Sequence, residues 1–257
     1  MRIPLLGVGI DNITKHEAVS FVSKRICKKQ YTAIYTPNPI MICRSLHDPH
    51  FRHILNQAHL SLPDGIGLLM AARILGLPLS ERVAGIEFGE SLLSLAEKKG
   101  LRVFLLGAKP GVAEAAAARL RQACPRLFIC GTHHGYFCDA EAESIKKQIE
   151  ASRADILIVC LGTPRQECWI HSCQPRGVLV SIALGGALDV WAGKTLRAPQ
   201  AVSHLGLEWL WRMCLQPHRL RTLPNLFEFA LAVTARKTKE TAGRAKIHCN
   251  IRFSKTK

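Results

Sequence analysis

From Leu101 onward the chain alternates without a break between short apolar runs and longer segments with helical spacing: LRVFLLG, KPGVAEAAAARLRQAC, LFICG, EAESIKKQIEAS, DILIVCLG, PRQECWIHSC and VLVSIALGG. A run that is apolar at nearly every position is a strand buried on both faces. A helix between two such strands gives the crossover that parallel pairing needs. This pattern predicts an α/β fold, Rossmann-like, with a mostly parallel sheet flanked by helices. The first hundred residues repeat it less cleanly, with PLLGVGI, YTAIY and AHLSL as strands and KHEAVSFVSKRICKK, PIMICRSL, PHFRHILNQA and IEFGESLLSLAEKKG as helices. No fixed-period repeat or Pro/Gly/Ser linker divides the two halves.

Ligands of such sheets sit beyond the carboxyl ends of the strands. The segments there are TPNP (36–39), PDG (63–65), GAKPG (107–111), GTHHGYF (131–137), GTPRQE (162–167) and GGALD (185–189), five of them containing glycine. Glycine lets a ligand approach the backbone, and a following helix N-terminus offers N–H groups to a phosphate. A dinucleotide site is disfavoured, because GVGIDN ends in Asn12 where the fingerprint needs glycine, and no Walker A loop is present. The six Asp include no D-x-D, and the His133-His134 pair lacks metal-ligand spacing. A nucleoside diphosphate would then be neutralised by backbone N–H groups and Arg or Lys, with no metal or other cofactor expected.

Charge separates the chain into regions. Of the net +16, residues 194–257 carry +10, from 13 Lys and Arg against 3 Glu. The expected organisation is an α/β catalytic domain over 1–198, a basic Trp/Arg-rich helical appendage over 199–237 and a disordered basic tail over 238–257. Such charge attracts nucleic acid, anionic lipid headgroups or a diphosphate-bearing substrate. The ten Cys contain no C-x-x-C pair, and several lie in strand-like runs, as expected of reduced core thiols in a cytoplasmic protein. The N-terminus is a poor signal peptide, and no apolar stretch is long enough to span a bilayer.

TPNPIMICRSLHDPHFRHILNQAHLSLPDGIGLLMAARILGLPLSERVAG, then VFLLGAKPGVAEAAAARL, GYF, DILIVCLGTPRQECWI, GGALDVWAGKTLRAP and LGLEWLWRMCLQPHRLR resemble, in unbroken order over about residues 4–221, the WecG/TagA/CpsF glycosyltransferase family. The resemblance implies an inverting transfer from a UDP-sugar donor to a polyprenyl-diphosphate-linked sugar acceptor. It would take place at the cytoplasmic face of the plasma membrane, in peripheral contact with anionic lipid, and family members can associate as homo-oligomers. PDGIG and ERVAG are most similar to the teichoic-acid branch, which favours N-acetylmannosamine as the sugar, with its uronic acid or glucose as alternatives.

Carried over residue by residue, the resemblance makes Asp64 the general base, taking the proton of the acceptor hydroxyl. The plainer alternative is a helix N-cap worth about 1 kcal/mol. Arg82 would join it in the catalytic set by pairing with a donor phosphate; nearby, Glu87 stands where many relatives carry Asp. Thr36 and Asn38 match sugar-pocket positions, and Gln166 and Asp189 would hold the donor at the second edge. Gly65, Gly107, Lys109, Gly135, Tyr136, Gly162, Pro164 and Gly186 complete the expected donor site. Glu167 reads either as part of it or as first-turn helix electrostatics. Arg212, Arg219 and Arg221, beside Leu207, Trp209, Leu210 and Trp211, would take the lipid diphosphate at the membrane. Two other classes compete. A sugar-nucleotide epimerase needs no basic Trp-rich segment, and an RNA-binding module would leave PDG and GTPRQE unused, so no nucleic-acid partner is expected.

Overall fold

The computed structural model describes residues 1–199, 202, 208–215 and 217–254. The chain opens with a hairpin, β1 (Arg2–Leu5) and β2 (Val8–Asp11), paired antiparallel. The run PLLGVGI is therefore two strands and not one. Leu6 and Gly7 both take positive φ (49° and 88°), the backbone of a tight two-residue hairpin turn. The hairpin lies outside the main sheet and fastens to its edge through Asp11, which pairs with Arg2 at 2.8 Å and accepts from Ser61 N at 2.8 Å.

Six parallel strands follow: β3 (Thr32–Tyr35), β4 (Leu60–Ser61), β5 (Arg102–Gly107), β6 (Phe128–His133), β7 (Ile156–Cys160) and β8 (Val180–Ala183). Their spatial order is β4-β3-β8-β7-β5-β6, the α/β sheet that the alternation predicts. α1 (Lys15–Cys27) joins β2 to β3, and its Thr14 and Glu17 form a capping box. α2 (Pro39–His47) and α3 (Pro49–Asn56) join β3 to β4. Each starts with proline at the first helical position behind a side-chain cap, Asn38 accepting from Met41 N and Asp48 from Phe51 N. α4 (Ile66–Leu75) and α5 (Gly85–Lys99) lead to β5, both closed by a left-handed glycine, Gly76 and Gly100. α6 (Val112–Ala123), α7 (Ala142–Ala151) and α8 (Arg165–Ser172) are the later crossovers, and α9 (Ala187–Trp191) follows β8.

Strand alternation divides the core into two layers. In β7, Leu157 and Val159 join Tyr35, Phe104 and Leu106 on one face, under α2, α3 and α8. Ile156 and Ile158 join Ile34, Leu105 and Ile182 on the other, under α1, α5, α6 and α9. All of these are at most 1% exposed, and each such side chain contributes about 1.5–3 kcal/mol by leaving water.

Beyond α9 the described elements are α10 (Glu208–Leu215), a 3-10 turn (Pro217–Thr222) and α11 (Leu223–Ser254). α11 packs on α2 and α4, burying Phe229 and Val233 in the first core layer. Two side chains of the segment expected as an appendage thus lie in the core of the sheet domain. α11 also runs across the expected boundary at residue 238, through a stretch rich in Ala, Lys and Arg and without proline, which favours helix.

Candidate active site

The crossover after β5 leads outward to β6, and that after β7 leads back toward β8. At the carboxyl edge a crevice opens between two such strands. Here the backbones interlock. A Cβ on Gly107, whose φ is +140°, would lie 2.3 Å from the Cys160 carbonyl oxygen. Ala108 N donates to that same oxygen at 3.0 Å, and Gly135 N donates to Ala108 O at 2.7 Å. Arg165 ties the third loop in by donating to Gly135 O at 2.7 Å and to Phe137 O, with its guanidinium 4.3 Å from the Phe137 ring centre. The glycines expected to admit a ligand therefore also let three loops meet at a separation no side chain would allow.

The opposite wall comes from the ends of β3 and β4. Asp64 N donates to Pro37 O and Val83 N to Pro63 O, both at 2.9 Å, which anchors PDG between TPN and ERVAG. Gly65, at φ +93°, occupies the N-cap position of α4. The cap position is thus held by Gly65 and not by Asp64. Its carboxylate lies one residue before the cap and lines a cavity of about 970 Å³, at the upper end of the range for ligand sites.

Around this cavity the structure gathers Asp64, Thr36, Asn38 and Lys109 with Gly135, Tyr136 and Gly162. Gln166, Gly186 and Asp189 complete the expected residues at its wall. Tyr136 is 64% exposed, its ring open to a ligand. Asn38 spends its Oδ1 on the α2 cap, and Thr36 donates its hydroxyl to Ala183 O at 3.2 Å, so both also hold the frame together. Gly65, Gly107 and Pro164 do not line the cavity, although each adjoins in sequence a residue that does. Arg82 does not line the cavity; it lies in the segment anchored by Val83, with Nη2 3.8 Å from Glu87 Oε1. Glu87 also takes Arg197 at 3.2 Å. Arg221 is exposed and precedes Thr222, a lining residue. Leu207 and the side chains of Arg212 and Arg219 lie outside the described residues.

Sequence reasoning missed one end of the cavity. Arg44, His47 and Asp48, on and just past α2, line it together with Thr222, Asn225 and Glu228. Glu228 accepts from Cys43 Sγ at 3.1 Å and pairs with His47, which latches α11 to α2. The placement of Arg44 and His47 three residues apart on a helix that follows TPN was a usable signal; Glu228 carried none.

Glu167 was the ambiguous residue, and first-turn electrostatics does not describe it. It is fully buried. Its Oε1 accepts from Gln166 Nε2 at 2.6 Å and Thr163 Oγ1 at 3.2 Å, and Gln166 Oε1 accepts from Gly185 N at 2.9 Å. Burial pushes its carboxyl up to about 7, against the opposing pull of these hydrogen bonds and of Arg44. Among the described residues, no three of His, Cys, Asp and Glu converge as metal ligands.

Lys109 lines the cavity by the β5 end, Arg44 and His47 line it on the α2 side, and Asp64 shares the lining. Residues 3–243 match the Glycosyl transferase WecG/TagA/CpsF family. A protein of Bacillus subtilis (strain 168), named N-acetylglucosaminyldiphosphoundecaprenol N-acetyl-beta-D-mannosaminyltransferase, is 34% identical over 87% of this chain and 84% of its own length. A protein of the same name from Staphylococcus aureus (strain MRSA252) is 33% identical over 93% of this chain and 95% of its own. With the family matched over nearly the whole length and these relatives at 33–34% identity over most of both chains, the chain belongs to the WecG/TagA/CpsF family of glycosyl transferases.

Proposed function

We propose that the protein transfers N-acetylmannosamine from its UDP-sugar to the N-acetylglucosamine of an undecaprenyl-diphosphate-linked acceptor, with inversion at the anomeric carbon. The observation that carries this reading is Asp64, a carboxylate residue of the cavity lining just before the α4 cap, in a chain whose relatives bear that activity in their names. Asp64 takes the proton of the acceptor hydroxyl as the oxygen attacks the anomeric carbon, and UDP leaves from the opposite face.

Lys109 meets the diphosphate of the departing UDP, without a resident metal ion. Thr36, Asn38, Gln166 and Asp189 hold sugar hydroxyls, and Arg82 acts through the PDG segment its neighbour anchors. The acceptor diphosphate lies toward Arg44 and Arg221. Among the described residues, no helix is long and apolar enough to cross a membrane. The exposed Trp209, Leu210, Leu220, Phe227 and Leu231 form a surface on which the protein would rest peripherally at the inner face of the plasma membrane.

UDP release from a panel of UDP-sugars, with detergent-solubilised undecaprenyl-diphosphate-N-acetylglucosamine as acceptor, tests the assignment. Acceptor-dependent release from UDP-N-acetylmannosamine is expected, reduced about 100-fold or more in Asp64→Asn at unchanged thermal stability. Turnover with the uronic acid or glucose donor instead would reassign the sugar. Normal turnover in Asp64→Asn would remove the base.

A further inference from the structure

We propose that Glu167 is a positioning residue for the donor: its buried carboxylate fixes the Gln166 amide and the Thr163 hydroxyl, and with them the two loops against which the donor sugar binds. The proposal rests on the transferase reading above. Its geometry does not.

A carboxylate with no solvent contact is costly, and at a purely structural position a hydrophobic residue of similar size would serve at least as well. Glu167 is held by neutral donors, Gln166 Nε2 and Thr163 Oγ1, which share one oxygen. The other, Oε2, is buried without a hydrogen bond. What the carboxylate gains is orientation. A glutamine amide can be placed in two ways that differ little in shape. Here the Gly185 N–H requires the carbonyl on one side, and Glu167 requires the amino group on the other. One Nε2 hydrogen and one Oε1 lone pair are left for the cavity that Gln166 lines.

The same residue reaches a third strand end, since Tyr35 Oη donates to the Glu167 carbonyl at 3.3 Å. Glu167 thus joins the ends of β3, β7 and β8, whose loops must keep their spacing for one donor to touch all three. The titratable and charged groups around it are Tyr35 on β3, Arg44 on α2, Asp48 between α2 and α3, and Cys168 on its own helix. Its elevated proton affinity brings its titration into the neutral range. Protonation removes the charge from both hydrogen bonds and loosens the grip on Gln166.

Calorimetric titration of the full-length protein with UDP-N-acetylmannosamine reads donor affinity without turnover. Wild type is expected to bind more weakly as pH falls from 8 to 6. Glu167→Ala should weaken binding about 10- to 100-fold at pH 8, because it leaves buried donors unsatisfied. Glu167→Gln keeps an accepting oxygen and should restore most of the affinity, with no step in its pH profile. In the acceptor assay, Glu167→Ala should raise the donor KM and leave the acceptor KM unchanged. Should Glu167→Ala fail to fold, the pH profile of Glu167→Gln carries the test alone. Wild-type affinity in Glu167→Ala, an equal rise in both KM values, or a pH step that survives in Glu167→Gln would each overturn the proposal. Failure of wild type itself to bind a UDP-sugar would instead remove the transferase reading beneath it.

Discussion

Gly107→Ala tests whether the crevice depends on backbone contact between β5 and β7. The added methyl carbon would lie 2.3, 2.5 and 2.8 Å from Cys160 O, C and Cα. Those neighbours are all backbone, so no rotamer change relieves them and the strand ends must part. Parting costs the Ala108 N to Cys160 O hydrogen bond, about 1 kcal/mol. Overpacking adds about 1–3 kcal/mol, and holding a side chain at φ +140° adds about 1–3 more. A total near 5 kcal/mol corresponds to a Tm lower by about 15 °C for a chain of this size. Gly100→Ala is the control. Its φ is +63°, but no atom lies within 4 Å of the new Cβ, so only the left-handed backbone is penalised, by about 1 kcal/mol. Thermal denaturation of both variants, followed by UDP-sugar titration, gives the comparison. Equal Tm losses would refute the close approach of β5 to β7. A destabilised Gly107→Ala that binds donor as wild type does would separate the crevice from the donor site.

Burial of Glu167 has a stability signature: the folded carboxyl, at about 7 against an unfolded 4.5, contributes stability that is present below pH 4.5 and lost as pH rises through 7, up to about 3 kcal/mol. Urea titrations at pH 5 and 8 should show that slope in wild type and not in Glu167→Gln; parallel slopes would place the carboxyl in water. Phe229→Ala, which empties a core position on α11, should cost about 3–5 kcal/mol and raise the acceptor KM, because Thr222, Asn225 and Glu228 lose their support. A loss below about 1 kcal/mol would mean that α11 does not share the core.

Much of the frame was legible because short-range physics sets it. Apolar strands separated by helical spacing predicted the sheet, and DILIVCLG became β7 with alternate residues on its two faces. Proline after Asn38 and after Asp48 marked the starts of α2 and α3. Glycine after successive strands pointed to the carboxyl edge, where most of the expected donor residues line one cavity. PLLGVGI misled, because its turn uses a leucine at positive φ, which residue preference does not signal.

The sequence by itself determined which residues face a core, where helices start, and the family resemblance through PDG and GTPRQE. Tertiary structure alone decided strand order, with β7 between β5 and β8, and hence where the crevice opens. It also left Arg82 out of the cavity lining, put Gly65 and not Asp64 at the α4 cap, latched α11 to α2 through Glu228 and His47, and sealed Glu167 from water. Periodicity reports that a face is buried but not what covers it. Strand neighbours, cavity walls and the proton affinity of a buried carboxyl depend on groups distant in the chain, and they acquire values only when packing brings those groups together.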